Sequence, residues 1–269
     1  MKARFGVKRK AALGITALVA IAASAAPVSA TTVTHTDTDT DTKWGRSDHW
    51  GVITRNTIGS PVAALRNGPF GSFGVTGPSA RPPFGRGSLG IEVADHSTSL
   101  TPPSEAADFG NEVDFFGAPV LGLRQVGFHV FQTGENVSYG GAANLPNIRF
   151  EINPNLTATP STYSSMVWNP PALPTTDLNR WSPYLDATTT GTWFLTGAAG
   201  TATNCSLSHQ CTFQDLLTAL NDGGTQPVIY SAAVSKGRDY MWIGAVDGLR
   251  INSLVYDFEP TMVRVRRAT

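Results

Sequence analysis

From Trp44 onward, apolar and polar positions alternate in short runs separated by Gly, Pro, Asn and Asp, the pattern of half-buried strands joined by turns. Leu123–Gln132 places Val126, Phe128 and Val130 on one face. Asn147–Ile152 sets Ile148, Phe150 and Ile152 against Arg149 and Glu151. The same reading predicts strands at Trp50–Thr54, Ser88–Val93, Glu112–Phe116, Ser165–Trp168, Thr192–Leu195, Val228–Val234, Met241–Ala245, Gly248–Ile251 and Leu254–Phe258. The Gly/Pro-rich stretch from Asn67 to Gly87 reads as a long loop or several tight turns.

One segment has helical spacing. In Thr212–Leu220, Phe213, Leu216, Leu217 and Leu220 recur at i, i+3, i+4 and i+7, with Thr212 and Asp215 placed as a cap and Gly223-Gly224 as a stop. Many short strands and one short helix predict an all-β fold, an antiparallel β-sandwich of jelly-roll or concanavalin-like type, over residues 44–269.

The amino end differs. Lys2, Arg4, Lys8, Arg9 and Lys10 precede the apolar run Ala11–Ala26, and Val28 and Ala30 stand where a signal peptidase expects small side chains. Residues 1–30 read as a signal peptide: the run falls short of the roughly 20 apolar residues that span a bilayer. No anchor is expected at the other end, so the product is expected to be secreted, extracellular and free of the membrane after cleavage. Residues 31–43, mostly TTVTHTDTDTDT, read as a disordered Thr/Asp-rich linker with too little apolar surface to bury. Asp37, Asp39, Asp41 and Asp48 have part of the spacing of a calcium loop, but Thr42 stands where such a loop needs Gly. No metal or other cofactor is expected.

The charge balance changes the list of partners. The whole chain carries 20 basic and 20 acidic residues, and loss of the five basic residues of the leader leaves the mature chain at net −5. Such a surface repels phosphate backbones, so nucleic acid is not an expected partner. Cys205 and Cys211, an isolated pair in an exported chain, read as a disulfide closing a small loop.

Three stretches resemble a group of uncharacterised secreted bacterial proteins with a concanavalin-like or jelly-roll sandwich: LGLRQVGFHVFQTGEN with NLPNIRFEINPN (Leu121–Asn155), WSPYLDATTTGTWFLTG with TFQDLLTALNDGG (Trp181–Gly224), and GAVDGLRINSLVYDFEP (Gly244–Pro260). The resemblance implies a fold and a location, and no catalytic residues. Separately, Glu112-Val113-Asp114 resembles the E-[ILV]-D-x-x-E strand signature of concanavalin-like glycoside hydrolases, with Gly117 where the final Glu is expected.

Candidate catalytic carboxylates are therefore Glu112, Asp114 and Glu151, expected to project from strands; retaining hydrolysis would need two carboxyl groups about 5–5.5 Å apart. Candidate ligand-binding residues are Trp168 and Trp181, which flank the Pro-rich loop NPPALPTTDLNR and have rings suited to stacking on sugars. The five His show no metal-ligand spacing, and no nucleophile-elbow motif occurs. The expected function is a secreted, non-catalytic β-sandwich binding carbohydrate or envelope polymers. A glycan-active hydrolase or lyase and a purely structural extracellular protein are the alternatives.

Overall fold

A computed structural model describes residues 43–69, 80–93, 105–134, 136, 144–238 and 240–268. Residues 1–30, read above as a signal peptide, and nearly all of the Thr/Asp-rich segment 31–43 lie outside them. The strands are β1 (Gly45–Ser47), β2 (Trp50–Val52), β3 (Val62–Asn67), β4 (Gly87–Val93), β5 (Ala107–Asn111), β6 (Val126–Gln132), β7 (Asn147–Asn153), β8 (Ser164–Asn169), β9 (Arg180–Trp181), β10 (Leu185–Asp186), β11 (Thr192–Leu195), β12 (Val228–Lys236), β13 (Trp242–Ile251), β14 (Leu254–Glu259) and β15 (Met262–Arg267). Two helices, α1 (Gly197–Ala202) and α2 (Phe213–Leu220), lie between β11 and β12.

The strands form two antiparallel sheets. The larger runs β1-β15-β14-β13-β4-β3, and β6 lies along the other edge of β13, with β9 and β10 paired to β6. The smaller runs β11-β8-β7-β12-β5-β2. The chain is an all-β antiparallel sandwich, as its alternation predicts. Phe128 from the larger sheet meets Trp168 from the smaller edge to face, ring centroids 5.4 Å apart, inside one continuous apolar core. Burying each such side chain removes roughly 1.5–3 kcal/mol worth of apolar surface from water.

Two single-residue bulges decide what points outward. In β13 the register against β6 shifts between Asp247 and Arg250, and Gly248 takes the left-handed φ of 62°. The extra residue keeps Val246, Leu249 and Ile251 all in the core. Sequence alternation broke there and suggested two strands; the structure has one. In β12 the shift falls between Ile229 and Ser231, so Tyr230 is left out of the ladder and is only partly covered.

Helix α2 buries Phe213, Leu216, Leu217 and Leu220. Its amino end is closed by the Asp215 amide donating to the Thr212 Oγ1 at 3.1 Å, with the Thr212 hydroxyl donating to the Asp215 carboxylate at 2.7 Å. Helix α1, with a sequence of GAAGTA, has no apolar stripe to announce it. Cys205 and Cys211 form the disulfide. Their loop hydrogen-bonds along β11: Trp193 and Cys211 exchange backbone bonds of 2.8 and 2.9 Å, and Leu195 N–H donates to Cys205 C=O at 2.7 Å. The loop thereby covers the outer edge of the smaller sheet, a site otherwise open to pairing with another chain.

Candidate functional site

The carboxylates singled out in the sequence do not share a strand. The strand is Ala107–Asn111, and Glu112–Gly117 is a turn. Asn111 causes the break: its buried side-chain oxygen accepts from the Val113 and Asp114 amides at 3.0 and 2.9 Å, bending the chain out of the ladder. Gly117 then closes the turn at φ 78°, and its amide donates to Ile229 C=O. Glu112 and Phe116 are exposed, whereas Phe115 is buried in the core. Asp114 accepts from Asn111 Nδ2 at 2.8 Å and from the Ser47 hydroxyl at 3.2 Å, and pairs with His49 Nδ1 at 2.6 Å.

Glu151 sits on the outer face of the smaller sheet, yet it is only 1% exposed. The short helical turn after β2 roofs it. Arg55 reaches its carboxylate with Nη2 and Nε, and Asn56 Nδ2 donates at 2.9 Å. Tyr163 OH donates at 2.7 Å and Ser231 OH at 2.8 Å. Burial alone would raise the pKa of Glu151, but these bonds outweigh it and bring the value down to about 2. Arg55 also pairs with Glu112, and its own pKa is driven further up, chiefly by Glu151.

Asp108 completes the cluster. It is 1% exposed, paired with Arg149 and bonded by Asn56 Nδ2 at 2.9 Å. One amide nitrogen thus serves Asp108 and Glu151, so the two accepting oxygens are no more than twice that distance apart. Burial pushes the Asp108 carboxyl up in spite of Arg149. A buried carboxyl pair with opposed shifts has the electrostatics of an acid and a base. What it lacks is access: Arg55, Asn56 and Tyr163 bond to Glu151, and Asn56 and Arg149 to Asp108. The sequence offered Glu151 as a candidate carboxylate and showed Arg149 only as an outward polar position. Arg55, Asn56, Asp108, Tyr163 and Ser231 carried no local signal.

Beside this cluster lies an exposed aromatic strip. Phe116, 63% exposed, stacks on Tyr230 with centroids 5.8 Å apart and planes inclined by 26°. Tyr230 OH donates to Thr162 C=O at 3.1 Å, and Tyr163 next along the chain is 47% exposed. The β12 bulge and the Glu112–Gly117 turn bring these rings together.

The two tryptophans are not a pair. Trp168 is fully buried, its Nε1 donating to Thr190 C=O at 2.8 Å, so neither ring face is open to a sugar. This corrects the ligand-binding expectation: Trp168 faces inward on β8, opposite Ile148. Trp181 on β9 is half-buried against Phe131. Phe128 and Phe131 point to opposite faces of β6, so the tryptophans that touch them are on opposite faces as well.

Among the described residues, no group of three or more His, Cys, Asp or Glu is arranged to hold a metal ion, and no helix is long and apolar enough to cross a membrane. No protein-family model, curated protein or solved structure matches the chain.

Proposed function

We propose that the chain is an exported, non-catalytic β-sandwich that binds carbohydrate or an envelope polymer through the strip Phe116–Tyr230–Tyr163. The observation that carries this reading is the stacked, solvent-facing Phe116–Tyr230 pair beside the Arg55–Glu112 ion pair. Sugar rings present apolar C–H faces and polar edges, which suits an aromatic surface rimmed by fixed charged groups. The saturated state of Glu151, with five donor contacts, favours binding over hydrolysis. The leader and the resemblance to secreted bacterial sandwiches support an extracellular setting.

Retention on insoluble polysaccharides (cellulose, chitin and peptidoglycan) tests the reading. Phe116→Ala or Tyr230→Ala is expected to weaken retention about two- to tenfold, the worth of one aromatic contact at ~0.5–1.5 kcal/mol. Glu112→Gln is expected to leave it largely unchanged. Loss confined to Trp181→Ala would move the site to the other sheet. Glycan release abolished by Glu151→Gln would assign a hydrolase, and no retention on any polymer would leave a structural protein.

A further inference from the structure

After the Glu112–Gly117 turn the chain makes a short helical turn, Val120–Gly122, closed by Gly122 N–H donating to Pro119 C=O at 3.1 Å. A groove of about 640 Å³ opens between this segment and helix α2, within the roughly 300–1,000 Å³ of small-molecule sites. Its apolar wall comes from Leu121 and Leu123 on one side and from Phe213 and Leu217 on the other. Both sides are fixed. Val120 N–H donates to Pro227 C=O at 3.0 Å, and the Phe213 ring packs on Trp193 with centroids 5.3 Å apart.

Among the described residues that line the groove, Arg124 carries the only charge. Its Nη1 donates to Leu121 C=O at 2.7 Å and to Leu123 C=O at 2.9 Å, and its backbone amide donates to Asn252 Oδ1 at 2.7 Å. The two carbonyls use both hydrogens of Nη1 and pin the guanidinium against the leucines. Three of its five N–H donors remain, on Nε and Nη2, and no described residue accepts from them or forms an ion pair with Arg124. That pair of nitrogens is the edge with which an arginine grips a carboxylate through two parallel bonds. Asn221, at the end of helix α2, lines the same groove, and its side-chain amide bonds to no described residue.

We propose that this groove binds a small monocarboxylate with an apolar body. The carboxylate takes the Nε–Nη2 edge of Arg124, and the body lies along Leu121, Phe213 and Leu217. A single guanidinium matches one negative charge; a phosphate dianion would call for a second cation, and the other residues lining the groove are neutral. Because the two carbonyl bonds already orient the guanidinium, binding gives up little side-chain freedom. The groove shares no residue with the aromatic strip, so the two sites stand or fall separately.

The test uses 3-phenylpropanoate and its neutral counterpart 3-phenylpropan-1-ol, titrated against the purified protein by NMR and by thermal shift at pH 7. Saturable binding of the carboxylate is expected, about 3–10-fold tighter than the alcohol, for a charge-assisted pair open to solvent on one side. The preference should fall as salt is raised. Arg124→Met keeps an apolar stem of similar length and should bring the two probes to equal affinity. Gln214→Trp, which fills the groove from the exposed face of the helix, should abolish binding of both. Equal affinity in the wild type, a preference that survives Arg124→Met or ignores salt, or no saturable binding would overturn the proposal. So would a dimer in sedimentation that Gln214→Trp dissociates, because the groove would then hold a second copy of the chain.

Discussion

Replacing Glu151 by Gln tests whether the outer-face cluster is structural. The carboxylate receives five donor contacts, from Arg55 Nε and Nη2, Asn56 Nδ2, Tyr163 OH and Ser231 OH. Gln keeps the shape but replaces one oxygen with an NH₂ that faces donors. The two hydroxyls can rotate to accept; Arg55 and Asn56 cannot. Two routes give the magnitude. A pKa lowered from 4.5 to about 2 corresponds to about 3 kcal/mol, at 1.36 kcal/mol per unit. Breaking one side of a buried ion pair costs about 3–5 kcal/mol. The expected loss at pH 7 is therefore about 3 kcal/mol, or roughly 6–12 °C in Tm for a domain of this size. Because the folded pKa is depressed, the contribution is complete above pH 4.5 and is lost as pH falls through about 2. Asp108, Asp247 and Asp257 have raised values and act in the opposite sense, destabilising the fold as pH rises above the ordinary Asp value. Urea melts of wild type and variant, compared at each pH, remove most of that background. Neutralising Glu151 also relieves part of the upward push on Asp108, a small offset to the loss. The difference between the two proteins should be about 3 kcal/mol at pH 7 and should shrink toward zero near pH 2. A difference below ~1 kcal/mol at pH 7, or one that does not depend on pH in this window, would refute the structural account.

Two further perturbations probe the frame around the site. Cys205→Ser with Cys211→Ser is expected to cost roughly 2 kcal/mol for a loop of this length, read as a lower urea midpoint; free-thiol labelling of the denatured, unreduced wild type should find none. Gly248→Ala is expected to cost roughly 2–5 kcal/mol, because a Cβ there would sit 2.5 Å from the Phe84 ring at a φ of 62°. Gly117→Ala has the same kind of φ but open space around it, and should cost only about 1–2 kcal/mol; equal losses at the two glycines would contradict the packing argument.

The sequence made legible the strands with one buried and one open face. Strands β6, β7 and β14 alternate because their inward residues form the core. Strand β5 escaped because Ala107, Asp108, Phe109, Gly110 and Asn111 are all buried, leaving no alternation to read. Just after it, EVDFF alternates by chance, and the Asn111 side chain that ends the strand is visible only in three dimensions. Strand β15 does alternate, with Val263 and Val265 inward. Of its arginines, Arg264 pairs with Asp257 and Glu259 on β14, and Arg266 lies 4.8 Å from the Trp44 ring centroid. Each of these partners is distant along the chain or belongs to another strand, beyond the reach of local pattern.

The candidate site follows the same logic. Glu112, Asp114 and Glu151 were identifiable as acidic residues near sheet faces; what they do depends on which donors fold over them. An ionised carboxylate offers about four lone-pair positions, and Glu151 meets five donor contacts, so it has no lone pair left for substrate or water. Arg55 and Asn56, which supply three of those contacts, lie about ninety-five residues away in the sequence. The same carboxyl pair with an open roof would be poised for acid–base chemistry. Closed by Arg55, it holds the turn after β2 against the smaller sheet, and the exposed chemistry passes to the rings that the β12 bulge and the Gly117 turn push into solvent. The proposed binding surface needs no spare acid or base, only a fixed aromatic face, which is why Phe116 and Tyr230 rather than the carboxylates are the residues to mutate first.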